Sequence, residues 1–323
     1  MKYVIARDGS GDFDSIQAAV DAVPLDNRTE TILEIREGVY EGRLIVHRDH
    51  VCLRGVGDPA RVILTGIGSA KDLFPDGRER ETFLSFTVLV TGDDVTLENL
   101  TIRNEAGDGR KVGQAVALYL AGDRDVCRGC RLEARQDTLF CGPTMPLVEQ
   151  DIAPRVSLAE SVPAVNEPSE THGRAYFENC RIQGDIDFIF GSYRCWFEKC
   201  TLFMNARGGW YTAPNTPENQ PWGFVFHGCL LTGECNPGEA KLGRPWRKYG
   251  RTVFLSCEMD EHVSPRGFED WDETRVVTGR MGEWDTRGAR ADQSTRHPAQ
   301  KRLTAEEASG ITPAAVLEGW EPA

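Results

Sequence analysis

The sequence is short of cations, of long apolar runs and of the motifs that mark a nucleophilic serine. Its 323 residues include 37 Lys and Arg against 50 Asp and Glu, a formal net charge of −13. Neutralising phosphates needs clustered cations, so a nucleic-acid partner is excluded and an anionic membrane surface is disfavoured. No stretch approaches the roughly 18 apolar residues of a membrane span. The opening Met1-Lys2-Tyr3-Val4-Ile5-Ala6-Arg7-Asp8 reaches an acid too soon to hold the apolar core of a secretory leader. There is no GxSxG elbow, and His47, His50, His172, His227, His262 and His297 stand in no recognisable triad context. Cys127-Arg128-Gly129-Cys130 has metal-like CxxC spacing. No second CxxC or His pair completes a zinc site, so buried thiols are favoured over a metal or redox role. Neither metal nor cofactor is expected.

What is present is an ordinary globular balance, 40% hydrophobic and 27% charged, which excludes wholesale disorder. The 33 glycines point to many turns. The ten cysteines, with no leader before them, read as reduced thiols.

Those cysteines carry a repeat. Val95-Thr96-Leu97-Glu98-Asn99-Leu100-Thr101-Ile102 is echoed around Cys130, then by Ala175-Tyr176-Phe177-Glu178-Asn179-Cys180-Arg181-Ile182, and again around Cys200, Cys229 and Cys257. The intervals between Asn99, Cys130, Cys180, Cys200, Cys229 and Cys257 are 31, 50, 20, 29 and 28. Spacings of this size with occasional insertions suit the coils of a solenoid, and period-2 alternation makes the units strands. A parallel β-helix satisfies both, with the marker cysteines as an inward ladder, one per coil. An antiparallel β-sandwich is the alternative.

Length alone would suggest two domains, at about 150 residues each, but the repeat favours one domain over residues 1–323. Ser15 to Val23 has apolar spacing at 16, 19, 20 and 23, an amphipathic helix within a capping segment over residues 1–25. Thr304 and Glu307 have capping-box spacing, so a second short helix should protect the far end, in a tail over 285–323. Residues 143–173, rich in Pro, Glu, Ser and Val, read as a lid-like insertion. The stretch 207–222 reads as a loop whose Trp210, Tyr211 and Trp222 suit stacking on sugar rings or partial core packing.

Gln114-Ala115-Val116-Ala117-Leu118, Gln136-Asp137-Thr138-Leu139-Phe140, Asp187-Phe188-Ile189-Phe190-Gly191 and Leu242-Gly243-Arg244-Pro245-Trp246 follow one another along the chain, and together they resemble the motifs of the pectin methylesterases. Asp8-Gly9-Ser10-Gly11-Asp12-Phe13 is similar to that family's opening DGSGxF, and Ile35-Arg36-Glu37-Gly38-Val39-Tyr40-Glu41 to its xPGxYxE, with Glu for Pro. Gln114-Ala115-Val116-Ala117-Leu118 matches QAVAL, and Gln136-Asp137-Thr138-Leu139-Phe140 matches QDTLY with Phe for Tyr. Asp187-Phe188-Ile189-Phe190-Gly191 and Leu242-Gly243-Arg244-Pro245-Trp246 are intact DFIFG and LGRPW, and Pro265 to Trp271 resembles PxGWxxW. Tyr119 stands where the family often has Arg. The resemblance implies an all-β, right-handed parallel β-helix with short capping helices and long loops beside a cleft. It also implies hydrolysis of galacturonan methyl esters, with release of methanol.

By the same resemblance Asp187 is the nucleophile, Asp137 the acid and base, Gln114 and Gln136 the oxyanion donors, and Arg244 the partner of the nucleophile. Thr82, Trp246, Trp271, Phe190 and Phe140 would contact substrate. Read without the name, Asp137 and Asp187 are acids of adjacent coils, the second in an apolar strand, and a strand Asp is more often a turn acid or ion-pair partner. Side by side, however, two carboxylates drive their pKa values apart, and Arg244 would keep one ionised. The two glutamines would otherwise form a coil-stacking amide ladder. The substrate expected is methylated oligogalacturonide or pectin, the protein a monomer, and its location cytoplasmic because of the thiols, or secreted if a leader has been removed. A pectate lyase or galacturonan hydrolase, and a non-catalytic pectin-binding solenoid, are the rival readings.

Overall fold

The computed structural model describes residues 1–144 and 173–322. Three short strands per turn of chain build three parallel sheets, of eleven, eight and seven strands. In one coil, Thr96–Glu98 lies in the eleven-stranded sheet, Thr101–Asn104 in the eight-stranded sheet and Leu118–Leu120 in the seven-stranded sheet. Asp125–Arg128 then returns to the first sheet beside Thr96–Glu98, in parallel. This is a right-handed parallel β-helix, and the parallel register removes the sandwich alternative.

Side-chain alternation explains why such short segments hold. In Arg194–Glu198, Cys195 and Phe197 point into the solenoid and Trp196 packs on its outer surface. Inside, the rings of Phe177, Phe197, Phe226 and Phe254 stack at centroid spacings of 4.5, 4.3 and 4.7 Å, nearly parallel with interplanar angles of 9°, 16° and 12°. One ring per coil matches the strand spacing of about 4.8 Å, so the ladder keeps neighbouring coils in register.

The bend from the eleven- to the eight-stranded sheet turns on one left-handed residue per coil. Asn99, Gly129, Asn179, Lys199, Gly228 and Ser256 have φ of 54°, 59°, 53°, 49°, 59° and 51°. The residue after each bend points inward: Leu100, Cys130, Cys180, Cys200, Cys229 and Cys257, all buried. The cysteine ladder is therefore present, but Asn99 is not in it. Asn99 belongs to the bend, where Asn tolerates positive φ, and Leu100 fills the inward rung. The thiols also bond between coils, Cys130 Sγ donating to Leu97 O at 3.2 Å and Cys180 Sγ to Cys127 O at 3.3 Å. Farther along, Cys229 Sγ reaches Phe197 O at 3.4 Å and Cys257 Sγ reaches Phe226 O at 3.5 Å.

The first end closes as expected. Helix α1, Ile16–Ala22, is N-capped by Ser15 and buries Ile16, Ala19 and Val20. Gln17 does more than fill its polar face. Its Nε2 donates to Ile45 O at 3.1 Å and its Oε1 accepts from Ile45 N at 2.9 Å, pairing the outermost strand of the seven-stranded sheet. The other end differs from expectation. Helix α2 here denotes Ala305–Ser309, which has the capping box of Thr304 and Glu307, but it does not cover the terminal coil. Ala308, Ile311, Val316 and Leu317 pack instead on Trp196, Val225, Val253 and Leu255, the outer face of the eleven-stranded sheet. That face is apolar and needs a cover more than the end does. The end carries a buried ion pair, Arg296 Nε to Glu283 Oε1 at 2.7 Å, with Gln300 also donating to Glu283. Of the expected lid over 143–173, residues 145–172 lie outside the described residues.

The bends give a clean stability test. At Gly129, φ 59°, an added Cβ meets nothing within 4 Å, so substitution perturbs only the backbone. Gly129→Ala should lower unfolding free energy by about 1–2 kcal/mol, the strain of a left-handed L-residue. Urea denaturation measures this, and a neutral result would refute the bend argument.

Candidate active site

The seven-stranded sheet has an apolar outer face to which six of its strands give one residue each. Ile45, Leu89, Tyr119, Phe140, Phe190 and Ala213 follow one another across it, and Phe83 and Phe86 fold over them. Phe140 packs 4.7 Å from both Tyr119 and Phe190, and 5.0 Å from Phe83, centroid to centroid. At the rim of this face each strand is entered from the eight-stranded side, and there the acids sit.

Leu139–Cys141 pairs with Ile189–Gly191, Leu139 facing Ile189. Two residues earlier in each, Asp137 and Asp187 therefore occupy equivalent places on neighbouring rungs, about 4.8 Å apart in backbone terms. Neither lies in a strand. Both have left-handed backbone, φ 63° and 49°, so the expectation that Asp187 emerges from an apolar strand is corrected. The left-handed step lifts each carboxylate out of the alternation and onto the rim. Such conformations cost roughly 1–2 kcal/mol for L-residues and cluster at functional sites. The turn is held by Asp137 N donating to Ile186 O at 3.0 Å and Leu139 N to Phe188 O at 2.8 Å.

The two carboxylates have unequal surroundings. Arg244 grips Asp187 with two parallel bonds, Nε to Oδ1 at 3.0 Å and Nη2 to Oδ2 at 2.7 Å. Burial raises the Asp187 pKa, and the Arg244 bonds and charge oppose that rise. Asp137, only 8% exposed, has no such grip. Burial, then the charge of Asp187, push its carboxyl well above the usual range, with Arg244 a weaker opposing influence. The pair thus favours one proton, held on Asp137, with Asp187 ionised.

A cleft of about 370 Å³ opens over this pair, lined by Thr82, Gln114, Gln136, Asp137, Asp187, Phe190, Arg244, Trp246 and Trp271 among others. Nine of the ten expected site residues are thereby brought together. Phe140 is the exception. It packs between Tyr119 and Phe190 in the aromatic layer and does not line this cleft. The stretch 207–222 is also corrected, because Gly209–Pro214 is a strand. Tyr211 points into the core, its hydroxyl 2.5 Å from His262 Nε2, and Trp222 packs near the C-terminal helices. Trp210 alone of the three reaches the site, with the Arg244 guanidinium 3.7 Å from its ring centroid. Sequence reasoning also missed Glu81, a cleft residue with φ 63° that no local motif marks.

The residues 2–144 and 169–319 match the Pectinesterase family model. The chain belongs to the pectinesterase family. It is 29% identical to a probable pectinesterase/pectinesterase inhibitor 23 from Arabidopsis thaliana, over 99% of this chain and 53% of that protein. It thus spans about half the length of that pectinesterase relative. The pectin methylesterase PemA from Erwinia chrysanthemi superposes with a TM-score of 0.80 at 27% identity, covering 99% of this chain and 98% of the other. A mutant pectin methylesterase in complex with a hexasaccharide superposes with a TM-score of 0.79 at 26% identity, covering 99% and 98%. The cytoplasmic placement finds no support. All ten cysteines are buried free thiols that serve as core side chains of the solenoid. Secretion is compatible with membership of the pectinesterase family. No described helix is long and apolar enough to cross a membrane.

Burying a carboxyl whose pKa is raised costs stability wherever the unfolded chain would be ionised. For Asp137 that penalty is absent below the unfolded value, 3.8, and grows as pH rises toward the folded value. Asp137→Asn should therefore be more stable than the wild type at pH 7, with the gain vanishing below about pH 3.8. Thermal melting across pH 3–8 measures it, and a gain that persists unchanged at pH 3 contradicts the assignment of the proton.

Proposed function

We propose that the protein hydrolyses the methyl esters of galacturonan or oligogalacturonides, releasing methanol. The observation that carries the reading is the acid pair with unequal surroundings, one carboxylate clamped by Arg244 and its neighbour buried beside it without such a grip, its pKa pushed up by burial and by the adjacent charge, under a cleft with aromatic walls. Family membership and the likeness to a pectin methylesterase seen with a hexasaccharide support the substrate class. Trp246 and Trp271 give the cleft aromatic walls against which sugar rings can pack, and a net charge of −13 suits an esterified, largely neutral chain better than a bare polyanion.

Asp187 attacks the ester carbonyl carbon, and the carbonyl π electrons move onto oxygen. Gln114 and Gln136 line the cleft beside the acids, and neither side-chain amide has a partner among the described residues, so both are free to donate to the developing oxyanion. As the tetrahedral species collapses, the bond to the methoxy oxygen breaks, Asp137 gives up its proton and methanol leaves. The sugar carboxyl is then joined to Asp187 as an anhydride. Asp137, now ionised, takes one proton from water, whose oxygen attacks the acyl carbon and expels Asp187 as a carboxylate; the galacturonic acid group so formed gives its remaining proton to solvent. Arg244 steadies the carboxylate of Asp187 before attack and after release.

Methanol release from methylated oligogalacturonide, with oligomer length unchanged, is the expected result. Shortened oligomers would instead favour a lyase or glycosidase, and binding without methanol a non-catalytic solenoid. Asp187→Ala should lose activity by orders of magnitude while still folding. A residual rate above about a tenth of wild type would contradict the nucleophile. Gln136→Ala should cost about 10²–10³ in kcat.

A further inference from the structure

The rung after Asp187 is occupied by a residue the reaction scheme leaves unused. Ile189 pairs with Thr212, and Trp210 pairs with Lys241, so Asp137, Asp187, Trp210 and Lys241 continue one another along the rim. The Arg244 guanidinium, hydrogen-bonded edge-on to Asp187, lies between two indoles, 3.7 Å from the Trp210 centroid and 4.0 Å from that of Trp271. The indoles differ in one respect: Trp271 lines the cleft and Trp210 does not. A sugar entering the cleft meets Trp271, whereas Trp210 is fixed from behind. Its Nε1 donates to Glu269 Oε2 at 2.9 Å, and Glu269 N donates to the carbonyl of Gly243, next to Arg244, at 3.0 Å. Arg244 N in turn donates to Thr212 O at 3.0 Å on the strand that carries Trp210.

We propose that Trp210, anchored by Glu269, is a positioning residue for ester hydrolysis: its ring holds the Arg244 guanidinium in the plane that grips Asp187 and keeps water from the pair's far side. The proposal rests on the reading of the cleft as an esterase site. A two-bond grip depends on coplanarity of guanidinium and carboxylate, and a ring face stabilises the cation most where solvent is absent. With the ring removed the guanidinium can tilt and water can enter, so Asp187 is protonated more readily. The charged groups around Asp187 are Asp137 on the preceding rung, Arg244 over it, Asp185 with Arg207 at the base of its turn, Glu81 on the opposite wall, and Lys241 and Glu269 about Trp210. Leu and Phe at position 210 both remove the indole bond to Glu269, so that loss is common to the two variants and only the ring face beside Arg244 distinguishes them.

The test is the pH profile of kcat/KM for methanol release from methylated oligogalacturonide by wild type, Trp210→Leu and Trp210→Phe. Both replacements fill the space, but only Phe keeps a π face. In Trp210→Leu the acid limb, which reports ionisation of Asp187, should move up by about half a unit or more, with kcat lowered about tenfold. Trp210→Phe should keep the limb within about 0.2 units of wild type and kcat within about threefold. Equal limbs in the Leu and Phe variants, whether both moved or both in place, would overturn the proposal. A wild-type protein that releases no methanol would instead overturn the esterase reading beneath it.

Discussion

Everything at the site depends on parallel register. Two residues 50 positions apart in the chain stand on adjacent rungs because Leu139 faces Ile189, and the same left-handed step precedes both strands. Coil stacking sets their separation at about one strand spacing, close enough that one charge governs the other's proton. The ladders of phenylalanine rings and thiols inside the solenoid serve that register, since a slip of one residue would turn every inward side chain out. Core packing and active-site electrostatics are in this sense the same problem.

Much of this was legible in the sequence because a solenoid writes its period into the chain. The cysteines at 130, 180, 200, 229 and 257 marked the inward rungs, and the motifs around Gln114, Asp137, Asp187 and Arg244 marked the rim. Asn99 was misassigned by one place because an amide that tolerates positive φ and a small inward side chain occur side by side in the repeat. Phe140 and Phe190 hold equivalent places on neighbouring rungs, yet only Phe190 lines the cleft, a difference that the motifs do not carry.

Other features had no local signature. The alternation in Gly209–Pro214 is short, and its neighbours are turn formers, so a strand read as a loop. Trp210 and Arg244 are separated by an insertion and meet only through the winding. An amphipathic helix shows which of its faces is apolar but not what that face will cover, and so the C-terminal helices were expected over the end of the solenoid rather than along its side.

Gln17 substitutes one amide for a whole strand. By engaging both backbone groups of Ile45, it leaves the outermost rung of the seven-stranded sheet with no vacancy at its centre. A second copy stacking on that end would have to displace the helix before its own strands could add. A fold built from a repeating unit is in principle open to head-to-tail polymerisation. Here a single side chain occupies the backbone groups at the centre of one exposed edge of the first coil, where a further strand would otherwise pair.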